Sequence, residues 1–139
     1  MIHEEICTYE VCKLAKEKGF PQHIGDDAYI VENEYDDEYE VGCYYPIQFI
    51  PDYLPTITAP TQSLLQRWLR EEKGVCISVE AYPTYATKNN ILYSWVIKYR
   101  SSGHSMEHEQ SFNTFSTYEK ALEDALKYAL ENLVICGKH

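Results

Sequence analysis

Apolar residues in the second half of this chain change their spacing twice, and this restricts the possible fold more than any other feature of the sequence. Leu64, Leu65, Trp68 and Leu69 recur at the interval that places side chains on one face of a helix. Val75, Ile77, Val79 and Ala81 then alternate with Cys76, Ser78 and Glu80, the period of two of a strand with one wet face. A second alternation over 92–100 puts Tyr93, Trp95, Ile97 and Tyr99 on one side. Helical spacing returns with Ala121, Leu122, Ala125, Leu126, Ala129, Leu130 and Leu133. Small Ala beside large Leu suits a helix that lies close against a sheet.

Local signals bound these elements. Thr58-Ala59-Pro60-Thr61 predicts a helix start and Gly74 its stop. Pro83 ends the first strand, residues 84–90 form a loop with Asn89-Asn90 as turn residues, and Ser101-Ser102-Gly103 forms the next turn. A third strand is expected over 106–113. Ser116-Thr117-Tyr118-Glu119 has the form of a capping box, with Ser116 as the cap, and Glu123, Asp124, Lys127 and Glu131 are expected to face water. The expected fold is therefore α+β: an antiparallel sheet of three or four strands with helices packed on one face, in the order α-β-β-β-α over the C-terminal two-thirds.

The first part of the chain reads differently. Thr8 caps a helix running to about Lys18, with Val11, Leu14 and Ala15 at helical spacing and Gly19 ending it. Between Gly25 and Pro60, acidic residues, tyrosines and four prolines alternate with short apolar pieces. Of these, 28–31 and 48–50 are expected to be short or edge strands. With 139 residues the chain is expected to form one domain, divided into an N-terminal helix plus acidic Tyr-rich segment (1–57) and the α-β-β-β-α portion (58–139).

Charge follows the same division. Residues 1–57 hold three Lys against thirteen Asp or Glu, a net of −10, whereas nine basic and nine acidic residues cancel over 58–139. Such a field repels phosphate backbones and favours basic partners or none. The helix-strand-strand-strand-helix order is shared with double-stranded-RNA-binding domains, which grip phosphates with lysines at the start of the last helix. Here that stretch carries Lys120 against Glu119, Glu123 and Asp124, so direct nucleic-acid binding is not expected. The five cysteines, Cys7, Cys12, Cys43, Cys76 and Cys136, are odd in number and scattered, as reduced thiols are. No apolar run reaches the roughly 18 residues needed to cross a bilayer. A cytoplasmic protein is expected.

Several constellations invite a functional reading. Glu34, Tyr35, Asp36, Asp37, Glu38 and Tyr39 lie in the most acidic run and form the candidate partner surface, where carboxylates interleaved with tyrosines imitate phosphates and bases. The run lacks the Gly and terminal Glu of a calcium-binding hand loop. His104 and His108 are four residues apart, but Gly103 and the serines favour a turn and strand over the helix that would converge them on a metal. Cys7, Cys12 and His23 make a weak zinc set, and Cys12 fits the apolar side of the first helix. Tyr93, Trp95, Ile97 and Tyr99 could stack on bases but are expected to be core. No nucleophile elbow, phosphate-binding Gly-rich loop or Cys/Ser–His pairing is present, and neither a cofactor, a metal nor catalysis is expected.

Ala59-Pro60-Thr61 through Trp68-Leu69-Arg70-Glu71, Val75-Cys76-Ile77-Ser78-Val79 and Tyr118-Glu119-Lys120-Ala121-Leu122-Glu123 together resemble a family of small uncharacterised phage and prophage proteins. In that family an "APT…WLRE" helix, a "W-V-I" strand and a "YEeALE…AL" helix recur. These are packing motifs. The resemblance implies a shared fold and a mobile-element setting, and it carries over no catalytic residue. The expected role is a non-enzymatic accessory or protein-interaction domain. The alternatives are an acidic DNA mimic that inhibits a nucleic-acid-binding protein and a small enzyme without a recognisable motif. Exposed tyrosines and a sheet edge make a homodimer a reasonable expectation.

Overall fold

The computed structural model describes residues 5–22, 28–31, 44–46, 56–83, 90–100 and 105–134. Among them, helix α1 spans Tyr9–Glu17 and is capped as its sequence requires: Thr8 Oγ1 accepts from Val11 N–H at 3.4 Å. Gly19 follows at φ 98°, a conformation that side chains with a Cβ disfavour, and Phe20 N–H then closes back on Ala15 O at 2.9 Å. Three short strands come next: β1 (Ala28–Val31), β2 (Tyr44–Pro46) and β3 (Thr56–Ala59). They pair antiparallel in the order β2-β1-β3. The expected short strand over 28–31 is therefore present, as the middle strand of this sheet, and the one over 48–50 lies outside the described residues.

Thr58 and Ala59 do not begin a helix. They end β3, whose four residues are all buried. Pro60 explains the correction, because its ring disfavours helical geometry in the residue before it. Helix α2 (Gln62–Lys73) begins after Thr61, whose Oγ1 accepts from Leu64 N–H at 3.2 Å. Gly74 ends it in the left-handed conformation at φ 66°. The second sheet follows: β4 (Cys76–Pro83), β5 (Ile91–Arg100) and β6 (Met106–Gln110), antiparallel in the order β4-β5-β6. Pro83 ends β4 as expected, and β6 is shorter than the expected 106–113.

Helix α3 (Tyr118–Asn132) completes the α-β-β-β-α order and packs on this sheet against β4 and β5. Its cap is Thr117 rather than Ser116: Thr117 Oγ1 accepts from Lys120 N–H at 3.1 Å, so Glu119 falls one position short of the capping-box site. The Ala–Leu stripe is buried from Ala121 to Leu130. Leu122, Leu126 and Leu130 join Val11 and Ala15 of α1, Leu65 and Leu69 of α2, and Ile57, Ile77, Trp95 and Ile97 of the strands in one hydrophobic cluster. Among the described residues no helix is long and apolar enough to cross a membrane.

Leu126, fully buried at the centre of that cluster, sets a prediction. Leu126→Ala is expected to lower unfolding free energy by about 2–5 kcal/mol through lost transfer energy and a residual cavity. Phe112 is fully exposed, so Phe112→Ser is expected to change it by no more than about 0.5 kcal/mol. Urea unfolding followed by far-UV circular dichroism measures both; equal losses would contradict this core assignment.

Candidate interaction surface

Acidic residues of α3 expected to face water also bind the other elements: Asp124 is exposed and Glu123 half-buried, yet each accepts hydrogen bonds from a neighbouring element. Asp124 Oδ2 accepts from Trp95 Nε1 at 2.8 Å, which satisfies the indole of a side chain only 3% exposed. Glu123 gathers the starts of two other helices. Its Oε2 accepts from Thr8 N–H at 3.1 Å and Thr8 Oγ1 at 2.9 Å, and its Oε1 accepts from Gln62 Nε2 at 2.9 Å. Gln62 is buried and donates as well to Glu119 O at 2.9 Å. Lys127 reaches across to Glu10 of α1 at 2.9 Å, and this pairing raises its pKa above the usual lysine value.

The starts of α1, α2 and α3 therefore line one cleft of about 350 Å³, with Thr8, Gln62 and Thr117 on its walls. Helix starts carry partial positive charge, and the Glu123 carboxylate lies where it offsets that charge. Both of its oxygens already accept hydrogen bonds, which makes Glu123 a clamp between helices rather than a base aimed at a substrate.

The cysteine candidates are also structural. Cys7 and Cys12 are buried together, and Cys12 Sγ donates to Cys7 O at 3.5 Å. Burial first, and then the negative charge of Glu123, push the Cys12 thiol up to about 12; the same two causes, with Cys12 itself, push Cys7 up further. Thiols held protonated in this way oppose the thiolate that zinc requires. His23 lies outside the described residues, as do His104 and the whole candidate surface from Glu34 through Tyr35, Asp36, Asp37 and Glu38 to Tyr39. His108 lies exposed on β6, paired across from Lys98. Among the described residues no three His, Cys, Asp or Glu side chains are grouped to hold a metal ion.

Tyr93, Trp95, Ile97 and Tyr99 face α3 and the core rather than a ligand. Trp95 and Ile97 are buried, and the Trp95 ring lies 5.1 Å from that of Tyr128. The opposite face of the same sheet is the surface that sequence reasoning passed over. The strand registers place Cys76, Lys98 and His108 in one row across it, Arg100 beside Met106, and Tyr82 beside Leu92. Tyr82 is 46% exposed and Met106 63%, while Leu92 and Val96 are half-buried between them. Even-numbered residues of the first two strands were legible as one wet face, but the pairing that assembles them with β6 is a matter of register.

Two outcomes are expected from the clamp and the thiols. Glu123→Ala removes charged acceptors from α1 and α2 at once and is expected to cost roughly 1.5–3 kcal/mol in urea unfolding, with Glu123→Gln intermediate. Cys7 and Cys12 keep their protons in the folded chain where the unfolded chain, with ordinary thiols, has lost them. Their contribution to stability is therefore full below about pH 9 and declines as pH rises toward the folded values. The Cys7→Ala/Cys12→Ala double variant is expected to lose less stability than the unsubstituted chain between pH 8 and pH 10.5; parallel profiles would contradict this. Comparison of the chain with protein-family models, with curated proteins and with solved structures finds no match.

Proposed function

We propose that this chain is a non-enzymatic protein-interaction domain, and that its partner docks on the outer face of the β4-β5-β6 sheet. One observation carries the reading. That face presents exposed Tyr82 beside half-buried Leu92 at one end and exposed Met106 beside Arg100 at the other, with half-buried Val96 between the two ends, while the opposite face is spent on α3. Aromatic, Met and Arg side chains are enriched at interfaces relative to the rest of a protein surface, and this face carries all three. The resemblance of the packing motifs to phage and prophage proteins supports an accessory role in a mobile element. The scattered thiols support work in the cytoplasm.

A second reading is favoured by the charge division: thirteen acidic residues against three Lys over residues 1–57 suit an inhibitor that imitates DNA. Affinity recovery from a host lysate separates the two. Under the first reading a specific protein is retained by the unsubstituted chain and weakened about tenfold or more by Tyr82→Ser with Met106→Ser. Loss through Asp36→Ser, Asp37→Ser and Glu38→Ser, with the sheet variants still binding, selects the acidic mimic. Recovery of nothing at any salt concentration sinks both.

A further inference from the structure

We infer that the free edge of β6 accepts an acidic peptide as an added antiparallel strand, its carboxylates lying over the row formed by His108, Lys98 and Arg100. The inference rests on the outer sheet face being the interaction surface and names the chemistry of what docks there. Its first support is the phase of the backbone hydrogen bonds. Ser111 N–H donates to Trp95 O at 3.0 Å. Hydrogen-bonded pairs alternate along an antiparallel ladder, so Glu109 opposite Ile97 and Glu107 opposite Tyr99 spend their backbone groups on β5. The backbone groups of Met106, His108 and Gln110 then point away from the sheet, and among the described residues no strand lies on that side.

The other edge is less available. Gln66 Nε2 donates to Ile77 O at 2.9 Å, so α2 already occupies an acceptor of β4. The edge of β6 is left as the place where an extended segment gains main-chain hydrogen bonds.

Charge selects the segment. In a chain of net charge −10, the outer face has Lys98, Arg100 and His108 exposed at one end. Among the described residues neither Lys98 nor Arg100 forms an ion pair. Glu80 is at the far end of β4 and accepts from Tyr82 Oη at 2.7 Å. Lys98 and Arg100 sit about 10 Å from an added strand, two strand spacings, which their stems and a Glu side chain span together. Glu107 and Glu109 project from the opposite face, where Tyr99 Oη donates to Glu109 at 3.4 Å. A bound strand therefore carries acids at alternate positions only. Residues directly opposite in a ladder share a face, so its acidic residues are also the ones whose backbone bonds to Met106, His108 and Gln110.

This last coupling gives the test. A fluorescein-labelled peptide of about eight residues alternating Glu and Thr is titrated with the intact chain and followed by anisotropy at low and high salt. Binding is expected to weaken with salt. N-methylation of the Glu amides is expected to abolish it, whereas N-methylation of the Thr amides leaves it within about twofold. Lys98→Glu with Arg100→Glu weakens it about tenfold or more. His108→Pro removes an outward N–H without touching β5 and has a similar effect, with folding confirmed by circular dichroism.

A Lys–Thr peptide that binds equally well overturns the inference, as does a Glu-methylated peptide that still binds, or no binding at all. Self-association through β6 that His108→Pro abolishes would assign the edge to a second copy, and displacement of the peptide by an oligothymidylate would assign the row to nucleic acid; either overturns it. If the peptide fails while Tyr82→Ser with Met106→Ser still releases the recovered partner, the strand-addition inference is lost and the interaction surface stands.

Discussion

Burial of the Ala–Leu stripe of α3 is the constraint on which the other elements depend. Leu122, Leu126 and Leu130 reach the cluster that α1, α2 and the strands share, while Ala125 and Ala129 keep the helix near the sheet. Burying one such Leu contributes about 1.5–3 kcal/mol, and three on one helix outweigh any single polar contact in the molecule. The same geometry divides the β4-β5-β6 sheet into two chemically distinct faces. Odd positions of β5 from Tyr93 to Tyr99 are turned to the core side, and even positions are left for whatever approaches from outside.

Polar contacts then fix how the helices meet. Apolar burial is non-directional, so a helix on a sheet can slide at modest cost unless a directional contact opposes it. Glu123 supplies that contact toward α1 and α2, Asp124 toward β5 through Trp95, and Lys127 toward α1 through Glu10. The three lie within five residues of α3, at the solvent-accessible border of the stripe, from which they reach the other elements. Exposed ion pairs such as Lys127 with Glu10 contribute little individually, whereas Glu123 gains from accepting three hydrogen bonds at once.

Much of the fold was legible in the sequence because periodicity reports which face is buried. The stripe of α3, the alternation of β4 and β5, and the Thr8 and Gly74 boundaries all follow from local chemistry. Where reading failed, the deciding information was distant or degenerate. Ser116 and Thr117 are equivalent caps, and only the position of Lys120 N–H distinguishes them. Pro60 did carry a local signal that Ala59 is extended, since proline constrains its predecessor, but the segment was read as a helix start. Asp124 is exposed, as its place on the helix suggests, but its bond to Trp95 was not legible because the partner lies 29 positions away. The outer face required the register of three strands, which alternation alone does not define. The acidic run with Glu34 and Asp36 lies outside the described residues and gains no geometry.

The two tryptophans occupy opposite kinds of environment. Trp95 is enclosed, hydrogen-bonded through its indole nitrogen and close to Tyr128. Trp68 is half-buried, with Phe20 edge-on at 5.3 Å and the Lys73 ammonium 5.3 Å from its ring. An excited indole shifts its emission according to the polarity and charge around it. Light from this chain thus comes from two sources, one reporting the contact of α3 with the sheet and the other the packing of α2 against the turn after α1.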